Sequence, residues 1–158
     1  MKKTNNKKIL IMGIGVIALV AIIGIFIVNN TRTGDSIYTT PSPEEVVRQY
    51  FISWNNKNYP DMYATISDGF KRIDSNTKDL ATFRNFASSQ GIEGVNIINI
   101  EEKSNDGTTS QVDYSVEFTL SDGKKQNFSD KFTLKYRKGD IIPGWKLVHP
   151  YGKNIDTL

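Results

Sequence analysis

Cysteine is absent from this chain of 158 residues. That excludes disulfides, thiolate metal sites, a cysteine nucleophile and a lipid-modified cysteine. It does not exclude an extracellular setting, where disulfides are frequent but not obligatory. Histidine is nearly absent too, His149 being the only one. No Gly-rich phosphate loop, zinc-ligand cluster or spaced Ser-His-Asp set is present, and no metal or cofactor is implied. A basic face is also lacking. Lys2, Lys3, Lys7 and Lys8 precede the first apolar run, and no acid does. Without those four, 16 basic residues face 17 acids, a balance near −1. The pI of about 9.0 therefore belongs to the N-terminal flank and is not a nucleic-acid footprint.

What is present begins with Ile9 to Val28, twenty residues with no charge and no strongly polar side chain. That length matches the roughly 20 residues a helix needs to cross a hydrocarbon core of about 30 Å. A helix is the only single segment that satisfies its own backbone there. Four lysines before the run and only Arg32 just after it put residues 1–8 in the cytoplasm and the rest outside. The competing reading is a cleaved signal peptide. The run is longer than the usual 7–15 residue core of one, and Ile27-Val28-Asn29-Asn30-Thr31 offers no small-x-small cleavage site. Residues 29–42 are polar and end in Thr39-Thr40-Pro41-Ser42, a linker to a domain over residues 43–158.

That domain reads as helices first. Ser42-Pro43-Glu44-Glu45 is a capping-box start, followed by Val46, Val47, Tyr50, Phe51 and Trp54 on one face. A short second helix is expected from Pro60, a short strand over Phe70 to Ile73, and a third helix capped by Thr77. Its face is Leu80, Phe83, Phe86 and Ala87, and Gly91 stops it. The period then changes from about 3.6 to 2. Strands are expected over Val95 to Glu102, Val112 to Leu120, Phe128 to Tyr136 and Trp145 to His149, with turns at Asn105-Asp106-Gly107, Ser121-Asp122-Gly123 and Gly139 to Gly144. The fold class is α+β, about three helices over one face of a curved antiparallel sheet.

Particular residues carry a resemblance. Tyr50, Phe51, Trp54, Asn58, Tyr59, Met62 and Tyr63 form an opening aromatic pattern. Gly91, Ile92 and Val95 to Ile100 enter the first long strand, and Gly144, Trp145, Lys146, Leu147 and His149 form the close. Together with the order of elements and the N-terminal apolar run, these resemble the NTF2-like (nuclear-transport-factor-2-like) cone, specifically the N-terminal, non-catalytic domain of MecA-type class B penicillin-binding proteins. The resemblance covers about Pro43 to Pro150. It implies a single-pass, extracytoplasmic docking or regulatory module, linked to peptidoglycan synthesis or the response to beta-lactam antibiotics, with cell-wall synthesis proteins as partners and the cytoplasmic membrane held through Ile9 to Val28. The family's transpeptidase domain is not expected here. Lys-Thr-Gly does not occur, and Ser88 and Ser89 have no lysine three residues on. No catalysis is expected. The alternatives are a small-molecule-binding or enzymatic cone, and a truncated remnant of a penicillin-binding protein.

Five residues define the ligand-binding expectation. His149 is in phase with Trp145 and Leu147, and Asp130 with Phe128, Phe132 and Leu134. Pairing of the last two strands would bring Asp130 beside His149, a carboxylate orienting an imidazole. The plainer reading is two polar residues at strand ends. Trp54 and Tyr63, with Tyr50, Tyr59 and Trp145, have the aromatic character of a pocket lining, but at helical spacing they are more simply core. Lys124, Lys125, Lys131, Lys135, Arg137 and Lys138 suit an anionic wall polymer or phospholipid headgroups. With Asp122, Asp130 and Asp140 interspersed, an ordinary solvated face is preferred.

Overall fold

A computed structural model describes residues 40–148. The expected membrane span at Ile9 to Val28, most of the linker, and His149 lie outside the described residues. Four helices, α1 (Pro43–Asn55), α2 (Tyr59–Ala64), α3 (Asp68–Ile73) and α4 (Leu80–Ser89), precede four strands, β1 (Ile92–Asn105), β2 (Thr109–Leu120), β3 (Lys125–Arg137) and β4 (Gly144–Leu147). The strands form one antiparallel meander in the order β1-β2-β3-β4. None of the helices in the described part is long and apolar enough to cross a membrane.

The capping box forms as the sequence predicts. The Ser42 hydroxyl accepts from the Glu45 N–H at 3.2 Å, and the Glu45 carboxylate accepts from the Ser42 N–H at 2.7 Å. Two polar side chains then tie α1 to β1: Glu44 accepts from Glu102 N–H at 2.7 Å, and Asn55 accepts from Val95 N–H at 2.9 Å. At its exit, Lys57 adopts the left-handed conformation (φ 56) and donates its ammonium to the Ile92 carbonyl. The buried stripe Val46, Val47, Tyr50, Phe51 and Trp54 meets Val112, Tyr114, Val116, Phe132 and Leu134 from the sheet. The centre of this core is aromatic: Phe51 lies 4.9 Å from Tyr114 and 5.9 Å from Phe132, ring centre to ring centre.

Three expectations are corrected. Phe70 to Ile73 is not a strand but the end of α3. Ser67 caps that helix by accepting from Phe70 N–H, Asp68 stands in its first turn, and Lys71 and Arg72 stand in its last; these local signals outweigh the short apolar run. Thr77 does not cap the next helix; Asp79 does, accepting from Thr82 N–H at 2.7 Å, while Thr77 is buried and gives its carbonyl to the Tyr63 hydroxyl. The first strand runs from Ile92 to Asn105, longer than Val95 to Glu102, and carries register shifts at Ile92/Gly94, Ile97/Asn99 and Glu102/Ser104. Each irregularity interrupts the period of two, and such bulges bend the strand they interrupt. The last strand is short, but the sheet edge it forms is covered. Ser67 N–H donates to the Leu147 carbonyl and Leu147 N–H to the Thr65 carbonyl, both at 2.9 Å, so the α2–α3 connection pairs with β4.

Candidate functional site

The sequence-selected residues are dispersed. Trp54 is buried against Tyr50 at 5.9 Å and Phe118 at 5.4 Å, and its indole N–H has no hydrogen-bond partner among the described residues. Tyr63 lies among the helices, 5.4 Å from Phe83, and donates to the Thr77 carbonyl at 2.9 Å. Burial first, and then Asp79 and Asp68, push its phenol above the ordinary range. Asp130 is exposed in the middle of β3, not at a strand end, and is paired across the ladder with Tyr114. Burial first, and then the Asp130 carboxylate, raise the Tyr114 phenol strongly. Trp145 pairs with Tyr136 at the C-terminal end of β3, rings 5.6 Å apart. Asp130 and Tyr136 are six residues apart on one strand, roughly 20 Å. These residues therefore do not share one pocket. The expected partner of Asp130, His149, lies outside the described residues. Phe128, expected inside, is 43% exposed, with its ring still 6.2 Å from those of Tyr114 and Phe118.

The lysine-rich face is largely compensated. Lys124 pairs with Asp122 at 2.7 Å, Lys125 with Glu117 at 2.8 Å, and Lys103 with Glu101 at 2.7 Å, while Lys131 stands opposite Asp113. This is the solvated face the sequence suggests, with one exception. Asp140 is only 8% exposed.

Asp140 belongs to a polar cluster that sequence reasoning misses. It accepts from Asp68 N–H at 2.9 Å, and Asp68 accepts in return from Ile141 N–H at 2.7 Å. Arg137 reaches the second Asp140 oxygen at 3.4 Å, and Lys71 pairs with Asp68 at 3.1 Å while standing 4.3 Å above the Tyr63 ring. Lys146, 7% exposed, donates to the Ala64 carbonyl at 2.7 Å. Burial, then Lys71, lower its pKa against the pull of Asp140 and Asp68. For Asp68, burial acts to raise the pKa, but the Ile141 N–H and the Lys71 ammonium together hold it below the ordinary value. The cluster braces the segment 138–143, whose outward residues are Ile141 at 91% and Ile142 at 57% exposure. The available signal is the pair Asp68 and Asp140, each next to a chain reversal, where a short carboxylate finds backbone N–H groups. Nothing in the spacing says that they find each other across 72 residues.

A groove of about 640 Å³ lies between the starts of α2 and α4, lined by Lys57, Tyr59, Pro60, Leu80, Ala81 and Arg84. It combines two cations with an apolar floor. Two Ser-x-x-Lys spacings do occur, Ser75 with Lys78 and Ser121 with Lys124. Both fall in exposed turns, where a lysine three residues on does not share the serine's face as it does on a helix. Neither offers an acylation site, and Lys-Thr-Gly is missing from the sequence.

The family model described as MecA_N, NTF2-like N-terminal transpeptidase domain, matches residues 42–150. Three solved structures share the fold. A SEC-C motif containing protein from Psychrobacter arcticus superposes with a TM-score of 0.52 at 16% identity, over 75% of this chain and 64% of that one. This chain thus spans less than two thirds of that protein's length. A SEC-C motif containing protein from Rhodopseudomonas palustris gives 0.50 at 15% identity, over 73% and 80%. An NTF-2 like protein of unknown function from Shewanella oneidensis gives 0.50 at 8% identity, over 65% and 88%. At such identities the likeness concerns the fold, an NTF2-like α+β arrangement of helices on an antiparallel sheet. No curated protein sequence matches the chain.

Proposed function

Because the chain belongs to the family of NTF2-like N-terminal transpeptidase domains, we propose that it is a membrane-anchored, extracytoplasmic, non-catalytic docking module acting on cell-wall synthesis proteins, in peptidoglycan synthesis or the response to beta-lactam antibiotics. The family match over residues 42–150 carries this reading. The twenty-residue apolar run with four lysines before it supports the anchor and its orientation. The use of Trp54, Tyr63 and Trp145 in packing supports a role in contact rather than turnover. The groove between α2 and α4 joins apolar area to the cations Lys57 and Arg84, a composition suited to protein recognition.

The test places a photo-crosslinking amino acid at Leu80, inside that groove, in the full-length chain in its own cells, with mass spectrometry of the captured proteins. Enrichment of wall synthases or their regulators over the same chain carrying the crosslinker at Asp122, outside the groove, is the expected result. Capture no greater than that control removes the docking role.

A ligand-binding cone is the second reading, favoured by the buried Trp54 indole N–H that lacks a partner among the described residues, since buried donors are nearly always satisfied.

A further inference from the structure

The segment 138–143 joins β3 to β4 and carries the two most outward apolar side chains among the described residues, Ile141 and Ile142. It is held, not loose. The reciprocal Asp68–Asp140 hydrogen bonds and the Arg137–Asp140 pair fix its base, so the isoleucines are presented by a braced support. Cations surround that base. A side-chain atom added at Gly69 would meet the guanidinium ends of Arg137 at 3.5 Å and Arg72 at 3.8 Å, and Lys138 is exposed at the start of the segment. The two acids within it are occupied by backbone N–H groups, Arg137 and Lys71. Apolar tips rimmed by Arg and Lys suit the boundary between acyl chains and anionic headgroups.

The chain's entry point lies on the same end. Thr40 stands 3.5 Å from the Tyr136 hydroxyl through its own hydroxyl, and its methyl lies 3.4 Å from where a side chain at Gly144 would begin. Gly144 directly follows the segment and has φ +138, which suits glycine alone, so entry and segment are packed together. Eleven residues separate Val28 from Thr40, a reach of at most about 40 Å.

We propose that the Ile141-Ile142-Pro143 tip, with Arg72, Arg137 and Lys138, is a second membrane contact that seats the domain on an anionic lipid surface. The proposal rests on the reading of Ile9 to Val28 as an anchor. Burial of the two isoleucines in the interface fixes the domain's tilt and directs the distal β2–β3 hairpin away from the lipid.

The absence of cysteine makes the test clean. Full-length chains carrying Leu19→Cys, Ile141→Cys or Asp122→Cys are labelled with an environment-sensitive fluorophore. Each is reconstituted into phosphatidylglycerol/phosphatidylcholine vesicles containing lipids with a quencher on the upper acyl chain. Loss of fluorescence at positions 19 and 141, but not at 122, is expected. Loss at 19 with none at 141 overturns the contact and leaves the anchor standing. Loss at 141 with none at 19 overturns the anchor and keeps the contact. No loss at either removes both. Equal loss at 141 and 122 also overturns the contact, because a domain lying on its side does not seat through this tip. In vesicles of phosphatidylcholine alone, the loss at 141 is expected to shrink; if it is unchanged, the role of Arg72, Arg137 and Lys138 falls.

Discussion

Asp68 and Asp140 each satisfy a backbone N–H belonging to the other's neighbourhood, and a carboxylate hydrogen bond of this kind is stronger than a neutral one. Replacing Asp140 by Ala strands the Asp68 N–H and the Arg137 guanidinium in a half-buried site. The expected loss is about 2 kcal/mol, read from urea unfolding. Asp68 adds a pH signature. Its folded carboxyl lies below the ordinary value, so the unfolded chain takes up the proton first. Its contribution is fully present above the ordinary carboxylate range, near pH 4, and is lost as pH falls through the folded value. Asp68→Asn is therefore expected to flatten the acid limb of stability against pH while leaving its neutral region parallel to the parent. An unchanged acid limb would assign that limb to Asp79, Glu101, Asp106 and Asp122, whose carboxyls are also lowered. At this scale the sequence is least informative. Its place in an expected turn, interspersed with lysines, puts Asp140 with other acids on a solvated face, whereas it is buried and bonded to a partner 72 positions away.

Among the elements, the long periodic ones are legible and the short ones are not. The α1 stripe from Val46 to Trp54 and the β2 alternation from Val112 to Phe118 follow from sequence because burial on one face imposes the period. In α3 only six residues are helical, too few to show a period, and Phe70-Lys71-Arg72-Ile73 reads equally as a strand. Its capping residue decides. Ser67 is buried, accepts from Phe70 N–H at 3.1 Å, and gives its own N–H to Leu147. Ser67→Ala removes the cap but keeps the backbone pairing, at an expected cost of about 1 kcal/mol. Hydrogen exchange should quicken at the Phe70 amide while the Ser67 amide, donated to β4, stays protected. Equal quickening at both would mean that the cap and the sheet edge fail together and that α3 has no separate stability.

At the scale of the whole molecule, the order of helices before an antiparallel meander is what sequence and structure agree on. Among the described residues, the main apolar cluster runs from Val46 to Leu147. About 110 residues are enough to bury an independent core, so the domain is expected to fold without the apolar run from Ile9 to Val28. A chain of residues 40–158 is then expected to unfold in one cooperative thermal transition and to remain in the supernatant after high-speed centrifugation. The full chain should pellet with membranes and resist both high salt and alkaline carbonate, because twenty apolar residues in hydrocarbon are held by burial and not by charge. Release of the full chain by salt would reduce the N-terminal segment to a peripheral, lysine-driven contact. Release by carbonate but not by salt would fit a shallow interfacial helix. Only persistence through both is compatible with a span, and only then does a tether of eleven residues confine the Thr40 end of the domain to the neighbourhood of the bilayer.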